Sequence, residues 1–521
     1  MIGPLLHVGQ VLTRHARLTP DAQGARDLER SLTFADWNAR ACRLANALSG
    51  IGLDKGDRVA LLAYNRLEWV EIYTAAAKAG LVVVPINFRL TATEVAFIVK
   101  DSGATAVLVE SALAHLIEEP RDDLDVDEDR YILIDGPTSA GYAKYDDLIA
   151  GAAASEPDAA VRADDPWCLM YTSGTTGNPK GAIRSHRGMA MLALMTAIEF
   201  GFNRRDTALL VMPMCHANSL NFFTSILYAG AVAAIFSRPN FDAQLCLKEL
   251  GRATFSSMVP THYSMMLDIP ADARGDVTSV EKLLVSSAIA FTETKRGIME
   301  MFPNSGLFEL YGSTEQGWAT MLHPHEQFDH LGTVGREVIG SAPIMLLDDD
   351  GIEVPDGQAG ELFSSSPYQF DGYWNLPDKT ADAMRGAYLT VGDIAMRDEN
   401  GYIRLLDRKK NLIISGGENI YPSEVEQVLI EHPDVRDVAV VGITDPKWSE
   451  RVVAAVVQRP GSGLTENALI EWSRKKLAGF KRPRKVVLLA QDQMPRNATG
   501  KILHRRLREM LGENSAGASL Q

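Results

Sequence analysis

Residues 58–109 read RVALLAYNRLEWVEIYTAAAKAGLVVVPINFRLTATEVAFIVKDSGATAVLV. Three apolar runs with strand character, Arg58–Ala63, Leu81–Ile86 and Thr105–Val109, alternate with Glu68–Ala79 and Thr93–Lys100, where apolar residues recur at helical spacing. Parallel strands need long crossovers, so this alternation predicts a parallel sheet covered by helices. The pattern returns between Ala208 and Tyr311, with Ala231–Phe236, Thr254–Val259, Lys282–Val285 and Leu307–Leu310 as strands. After Leu331 the texture changes to short strands with Gly/Asp turns at Asp348–Gly351 and Asp356–Gly360, as in a small β-rich subdomain. Beyond Arg408 a compact α+β unit follows: helix Ser423–Glu431, strands Val438–Val441 and Val452–Val457, helix Glu466–Leu477 and strand Val486–Leu489.

The expected class is therefore α/β: a large N-terminal region of parallel βα sheets plus a β-rich subdomain, then a small α+β C-terminal domain. The expected boundary falls at Lys410–Asn411, giving domains 1–410 and 411–521.

A chain of 521 residues exceeds one ordinary core. The four cysteines, Cys42, Cys168, Cys215 and Cys246, form no CxxC pair and no metal-ligand spacing, which points to a reducing cytoplasm rather than a disulfide framework. No basic, apolar, cleavable leader opens the sequence. Thr207–Ser237 is apolar enough to suggest a membrane span. It contains Pro213, His216, Asn218 and Asn221, and reads better as strand, loop, helix and strand. A net charge of −15 argues against general nucleic-acid binding. From Asn411 onward 16 Lys/Arg stand against 13 Asp/Glu, so the C-terminal part is the one suited to an anionic ligand, unless its cations are simply a solvated face.

The most informative segment is Tyr171-Thr172-Ser173-Gly174-Thr175-Thr176-Gly177-Asn178-Pro179-Lys180-Gly181, after the strand-like Trp167–Tyr171. Glycines permit tight turns, hydroxyls and backbone N–H groups can surround a polyphosphate, and Lys180 can offset its charge. Pro179-Lys180 stands where a Walker A loop would need Gly-Lys, so this is a different phosphate loop.

The loop resembles the phosphate-binding signature of the adenylate-forming superfamily, which includes acyl- and aryl-CoA synthetases, peptide-synthetase adenylation domains and beetle luciferases. The resemblance continues in the family's order at Tyr311-Gly312-Ser313-Thr314-Glu315, Tyr388–Asp393, Asp407-Arg408-Lys409-Lys410, Ser415–Asn419 and Pro495–Lys501, spanning nearly the whole chain. It implies ATP-dependent activation of a small-molecule carboxylic acid to an acyl-adenylate, then transfer to a thiol. Carboxylate attack on the α-phosphate gathers negative charge, which cations and oriented donors must offset.

By the same resemblance, Thr172, Ser173, Gly174, Thr175, Thr176, Gly177 and Lys180 hold the phosphates. Tyr311 stacks on adenine, Thr314 contacts a phosphate and Glu315 holds Mg²⁺. Asp393 accepts from the ribose hydroxyls with Arg408 assisting, although a turn residue after Gly392 would look the same in sequence. Lys501 is the catalytic lysine, carried by a C-terminal domain that rotates between half-reactions about a hinge at Lys410.

Gly416 and Gly417 line the pantetheine tunnel. Trp448, Phe480 and Arg482, with Lys475, Lys476, Lys481 and Arg484 nearby, suit the CoA nucleotide. The competing reading makes Trp448 and Phe480 core residues. Trp448-Ser449-Glu450 departs from the family's frequent Trp-Gly-Glu.

Pro213–Ser219 lacks the Asp expected for an α-amino acid substrate. His216 matches a residue that gates the acyl site in relatives, though a core histidine remains open. Ser286-Ser287-Ala288-Ile289-Ala290 replaces the usual Gly-rich strand, and Trp318 is a bulky candidate wall. Ser287, His216 and Trp318 thus outline an expected apolar, restricted pocket for a medium-chain, branched or aromatic acid. Expected partners are that acid, ATP, Mg²⁺ and CoA, with no nucleic acid, no membrane span, and a homodimer left open. No further domain follows Gln521, so a fused carrier is not expected. A stand-alone enzyme loading a carrier protein and a non-catalytic nucleotide-binding regulator are the alternatives. Lys180, Glu315, Asp393 and Lys501 are all intact, which a regulator would not require.

Overall fold

The computed structural model describes residues 7–137, 141–172, 179–286, 290–474, 476–496 and 502–516. It divides into two compact units. The first comprises residues 1–331, 337–343 and 364–389, and the second residues 332–336, 344–363 and 390–521.

The first unit holds two large sheets. In one, strands Tyr131–Leu133, Ala104–Val109, Arg58–Leu62, Val82–Pro85 and Pro166–Thr172 run parallel in that spatial order. Lys180–Ser185 closes its edge antiparallel to Pro166–Thr172. In the other, Val232–Ile235, Thr207–Leu210, Phe255–Met258, Lys282–Ser286 and Gly306–Ser313 are parallel neighbours, and Gly317–Leu322 returns antiparallel. The predicted alternation thus holds, with antiparallel pairing added at one edge of the first sheet and at both ends of the second, where Ser31–Thr33 pairs antiparallel with Gln23–Arg26. The Thr207–Ser237 segment is strand Thr207–Leu210, helix Ala217–Ala229 and strand Val232–Ile235, and no helix among the described residues is long and apolar enough to cross a membrane.

Helix Glu68–Ala79 is buried at all twelve positions. Its polar side chains therefore need partners: Arg30 and Arg66 bind Glu68, Arg40 and Tyr145 bind Glu71, and Lys78 meets Glu156. Gly80 (φ +73°) ends it in the left-handed conformation that Gly adopts without a Cβ clash.

His7, His186 and the half-buried His262 have lost their ordinary basicity. Burial pushes His7 and His262 down to about 4 and His186 to about 3. Neither ring nitrogen of His186 finds a hydrogen-bond partner among the described residues, and its ring stacks on Trp167. Lys78 also lowers His7 while Glu156 opposes it. His7 and Lys55 lower His186 while Asp165 opposes them, and Arg89 lowers His262. Each ring binds a proton more readily when unfolded, so its contribution is complete above about pH 6.5 and is lost as pH falls toward 4. Unfolding free energy should drop by about 1.4 kcal/mol per pH unit for each ring across that window. His186→Phe should flatten the slope by roughly one ring's share in denaturant titrations at pH 7.5, 6 and 5. An unchanged slope would remove His186 as a contributor.

The second unit holds a four-stranded antiparallel sheet, Met345–Leu347, Ala359–Phe363, Asp393–Arg397 and Ile403–Arg408. Its other sheet pairs Val435–Asp445 with Ser449–Gln458 antiparallel, and Lys485–Leu489 joins in parallel. Helices Pro422–Ile430, Glu466–Arg474 and His504–Ala516 complete it. The hairpin strands run past the apolar cores read from sequence, because backbone pairing continues through Asp437 and Arg451, with a bulge at Arg436, where side-chain burial does not demand it. Ile502 forms a bridge to Arg496, and the last helix starts at His504.

Candidate active site

Two hairpins in the first unit carry the motifs around Thr172 and Glu315. Pairing of Pro166–Thr172 with Lys180–Ser185 places Thr172 opposite Lys180. Ser173, Gly174, Thr175, Thr176 and Gly177 lie outside the described residues. The other hairpin, Gly306–Ser313 with Gly317–Leu322, carries Thr314, Glu315 and Gln316 at its turn. Gly317 (φ +72°) closes that turn, and a Cβ on Gly312 would stand 2.0 Å from the Gly317 carbonyl oxygen, so only glycine fits at Gly312.

Glu315 is the meeting point. Its Oε1 accepts from the Thr172 hydroxyl at 3.0 Å and from the Tyr373 hydroxyl at 3.0 Å. Lys180 Nζ sits 4.2 Å from the centroid of the Tyr373 ring. Burial lowers the affinity of that ammonium for its proton, and the Glu315 charge pulls the other way. A cation over an aromatic face, held near a carboxylate, is a small charged cluster with capacity left for an anionic ligand.

The turn bearing Thr314 and Glu315 is clamped from behind. Arg184, only 2% exposed, donates to the Thr314 carbonyl at 2.9 Å and to the Tyr368 carbonyl at 2.9 Å. Burial brings its guanidinium down to about 10, against the attraction of Asp371. Phe370 N–H adds a 2.7 Å bond to the Glu315 carbonyl. Tyr311, largely buried, donates to Gln316 Oε1 at 3.4 Å, and Gln316 donates on to Ser364 at 2.9 Å. Sequence reading missed Arg184, Gln316 and Tyr373. A charged residue within the apolar strand Lys180–Ser185 was a usable signal for Arg184. Tyr373 had none, because only the bridge between Ala182 and Tyr373 brings it to the site.

His216 directly precedes helix Ala217–Ala229 and is half-buried, so it is not an enclosed core histidine. Trp318 is buried, donates its indole N–H to Thr196 at 2.8 Å and packs against Phe222. Ser287 lies outside the described residues.

In the second unit Asp393 opens strand Asp393–Arg397, opposite Arg408 in register, with Oδ1 3.0 Å from Arg408 Nε. It is a strand residue, 7% exposed, and not part of the turn that Gly392 makes. Lys410 is exposed in the short turn Lys409–Asn411. Gly416 (φ +62°) donates its N–H to the Trp448 carbonyl at 2.8 Å. Gly417 is also left-handed.

Trp448 and Phe480 are 38% and 39% exposed, which removes the core alternative for both. Cations gather on them: Lys447 Nζ is 4.8 Å and the Arg484 guanidinium 5.8 Å from the Trp448 ring, and Lys481 Nζ is 5.6 Å from Phe480. Arg482 donates to the Leu477 carbonyl. Lys481 is also paired with Glu424 and Lys476 with Glu431, so part of the expected cationic cluster is already neutralised. Lys475 and Lys501 lie outside the described residues.

Residues 12–374 match the AMP-binding enzyme family and residues 424–501 its C-terminal domain. A long-chain-fatty-acid–CoA ligase of Mycobacterium tuberculosis is 34% identical, the alignment covering 96% of this chain and 98% of that one. A feruloyl-CoA synthase of Amycolatopsis is 33% identical over 97% and 99%. Among solved structures, an anthranilate CoA ligase in complex with anthranoyl-AMP superposes with a TM-score of 0.90 at 26% identity, covering 99% of each chain. With the Thr172–Lys180–Glu315 cluster in place, these similarities establish that the chain belongs to the AMP-binding enzyme family of the adenylate-forming superfamily and is an acid–thiol ligase.

Proposed function

We propose that this enzyme joins a carboxylic acid to CoA in two steps: acid and ATP give acyl-AMP and pyrophosphate, then CoA displaces AMP to give acyl-CoA. The observation that carries the reading is Lys180 over Tyr373 beside a Glu315 that is held by two hydroxyls. Lys180 would offset phosphate charge, with Thr172 and the loop Ser173–Gly177 supplying donors. Thr314 would contact a phosphate and Tyr311 would meet adenine. Asp393 would take the ribose hydroxyls, oriented by Arg408.

Glu315 suits Mg²⁺. Both of its hydrogen bonds fall on Oε1, Oε2 accepts none among the described residues, and no group of three acidic, His or Cys side chains gathers there. Magnesium commonly takes one or two carboxylates and completes its shell with phosphate oxygens and water, which it would neutralise here. The acid favoured is medium-chain, branched or aromatic, with His216, Ser287 and Trp318 near its tail. Residues 411–521 would act as a mobile domain turning about Lys410, which stands in the exposed turn Lys409–Asn411.

The test is a pyrophosphate-release screen over a panel of carboxylic acids, with and without CoA. Acid-dependent pyrophosphate release, with CoA converted to thioester as AMP appears, is the expected result. Pyrophosphate release with no thioester would overturn CoA as acceptor.

Trp448, Phe480, Gly416 and Gly417, with Arg482, are assigned to CoA. An exposed aromatic flanked by Lys447 and Arg484 is a stacking platform for a base next to phosphates. Trp448→Ala should raise the KM for CoA about tenfold, since one base–aromatic stack is worth about 1–3 kcal/mol. The KM for ATP should stay within about twofold, a shift below 0.5 kcal/mol. Equal rises in both would assign Trp448 to general folding of the second unit.

A further inference from the structure

The carboxyl ends of the parallel strands in the second sheet of the first unit carry a second polar cluster, distinct from the Glu315 group. Ser257 stands one residue before the end of strand Phe255–Met258, and Ser286 ends the neighbouring strand Lys282–Ser286. Asn218, in the first turn of helix Ala217–Ala229, donates to the Ser257 hydroxyl at 2.9 Å and to the Ser286 hydroxyl at 3.1 Å. Asn221 follows three residues later on the same helical face. All four side chains are at least nine-tenths buried.

Their hydrogen-bonding capacity is not used up. Asn218 spends its N–H donors on the two serines, while its Oδ1 accepts nothing among the described residues. The Asn221 carboxamide, 3% exposed, makes no side-chain hydrogen bond among them at all. The Asn221 carboxamide therefore has both donors and its acceptor left to offer a ligand. The helix start is also fixed in advance. Asn65 bonds to the backbone of Val211, Met212 and Met214, Tyr73 to that of Met214, and Ser219 to that of Met212.

The cluster's position connects it to the reaction. Ser286 is in register with Leu310, one residue before Tyr311, so both groups lie on the same edge of one sheet. Ligands in open α/β sheets bind outside the carboxyl ends of the strands.

We infer that Asn218, Asn221, Ser257 and Ser286 form a neutral polar subsite for the acyl tail, selecting acids whose tail carries an uncharged hydrogen-bonding group such as a hydroxyl, keto or carboxamide. The inference rests on the acyl-CoA ligase reading and narrows its acid. A tail with a second carboxylate or an ammonium is disfavoured, because no charged side chain bonds to these four residues among those described.

Matched acids test it: benzoate with 4-hydroxybenzoate, cinnamate with 4-hydroxycinnamate, hexanoate with 6-hydroxyhexanoate, octanoate with 8-hydroxyoctanoate. CoA-dependent AMP release is measured for each. At least one hydroxylated acid should exceed its plain partner about tenfold in kcat/KM, the scale of one buried hydrogen bond to a waiting partner. Asn218→Leu and Asn221→Leu should each bring that ratio to about threefold or less, where a residue that only supported the helix would lower both members alike. Asn221 bonds to neither strand, so its replacement keeps the test alive if Asn218→Leu fails to fold. The wild-type ratio decides without either variant. Turnover of plain acids equal to or better than their hydroxylated partners throughout, or an unchanged ratio in the folded variants, overturns the subsite and leaves the ligase reading standing. No CoA-dependent AMP release with any acid of the panel overturns the ligase reading, and the subsite with it.

Discussion

Lys501→Ala is expected to slow acyl-adenylate formation from acid and ATP by a hundred- to thousandfold, while thioester formation from pre-made acyl-adenylate continues at close to the wild-type rate. The assignment comes from the resemblance of the Pro495–Lys501 loop to the family's last motif. Lys501 lies outside the described residues, so kinetics rather than geometry must test it. An ammonium matters most while negative charge gathers at the α-phosphate, and losing one charge-stabilising group in such a role costs about 3–4 kcal/mol. Thiolysis of the mixed anhydride follows departure of pyrophosphate and does not need that charge. Lys501→Arg should fail as well, because a planar guanidinium does not replace a compact ammonium. Supplying synthetic acyl-adenylate with CoA isolates the second step. Parallel loss of both steps in a folded variant would take the catalytic assignment away from Lys501.

The fold was most legible where apolar runs and burial coincide. Strand Arg58–Leu62 and helix Glu68–Ala79 match their expected spans at nearly every residue, since strands covered on both faces read as unbroken apolar runs. Strand direction was not legible at the sheet edges. The glycines around Gly174 and at Gly312 and Gly317 announce turns, but only pairing across the hairpins fixes Lys180–Ser185 and Gly317–Leu322 as antiparallel. The long strands Val435–Asp445 and Ser449–Gln458 likewise extend through polar residues whose pairing depends on the partner strand.

The same division runs through the candidate site. Thr172 and Lys180 stood out because the glycines and hydroxyls of their loop suit a polyphosphate, whereas Thr314 and Glu315 were singled out by the family resemblance alone. Asp393 and Arg408 were readable as motifs, but their mutual contact follows from a register that no local pattern encodes. Tyr373 and Arg184 act on Glu315 and Thr314 from more than fifty residues away in sequence. Asn218 joins the ends of two strands by donating to the Ser257 and Ser286 hydroxyls, a contact that no local pattern encodes.

Arg184→Met should reduce kcat/KM for adenylate formation about a hundredfold, the scale of a 1 Å misplacement of reacting groups, and should lower the melting temperature as well. Methionine keeps the apolar stem of arginine, lacks the guanidinium and donates nothing. The carbonyls of Thr314 and Tyr368 would lose their 2.9 Å donors, at about 1–3 kcal/mol for each group left unsatisfied. Removing the charge together with its bonds avoids stranding a buried cation, so the variant should still fold. The kinetic loss follows from position. Arg184 fixes the peptide carbonyl just before Glu315, and Glu315 in turn binds Thr172 and Tyr373. A turn released there carries Thr314 and Glu315 out of place together, so KM for ATP should rise and kcat should fall. Arg184→Lys should recover part of the activity, because one ammonium can reach one of the two carbonyls. The measurements are pyrophosphate exchange and thermal unfolding on the same samples. A variant that melts earlier yet retains wild-type kinetics at a temperature where it is folded would make Arg184 a structural residue with no part in positioning the turn.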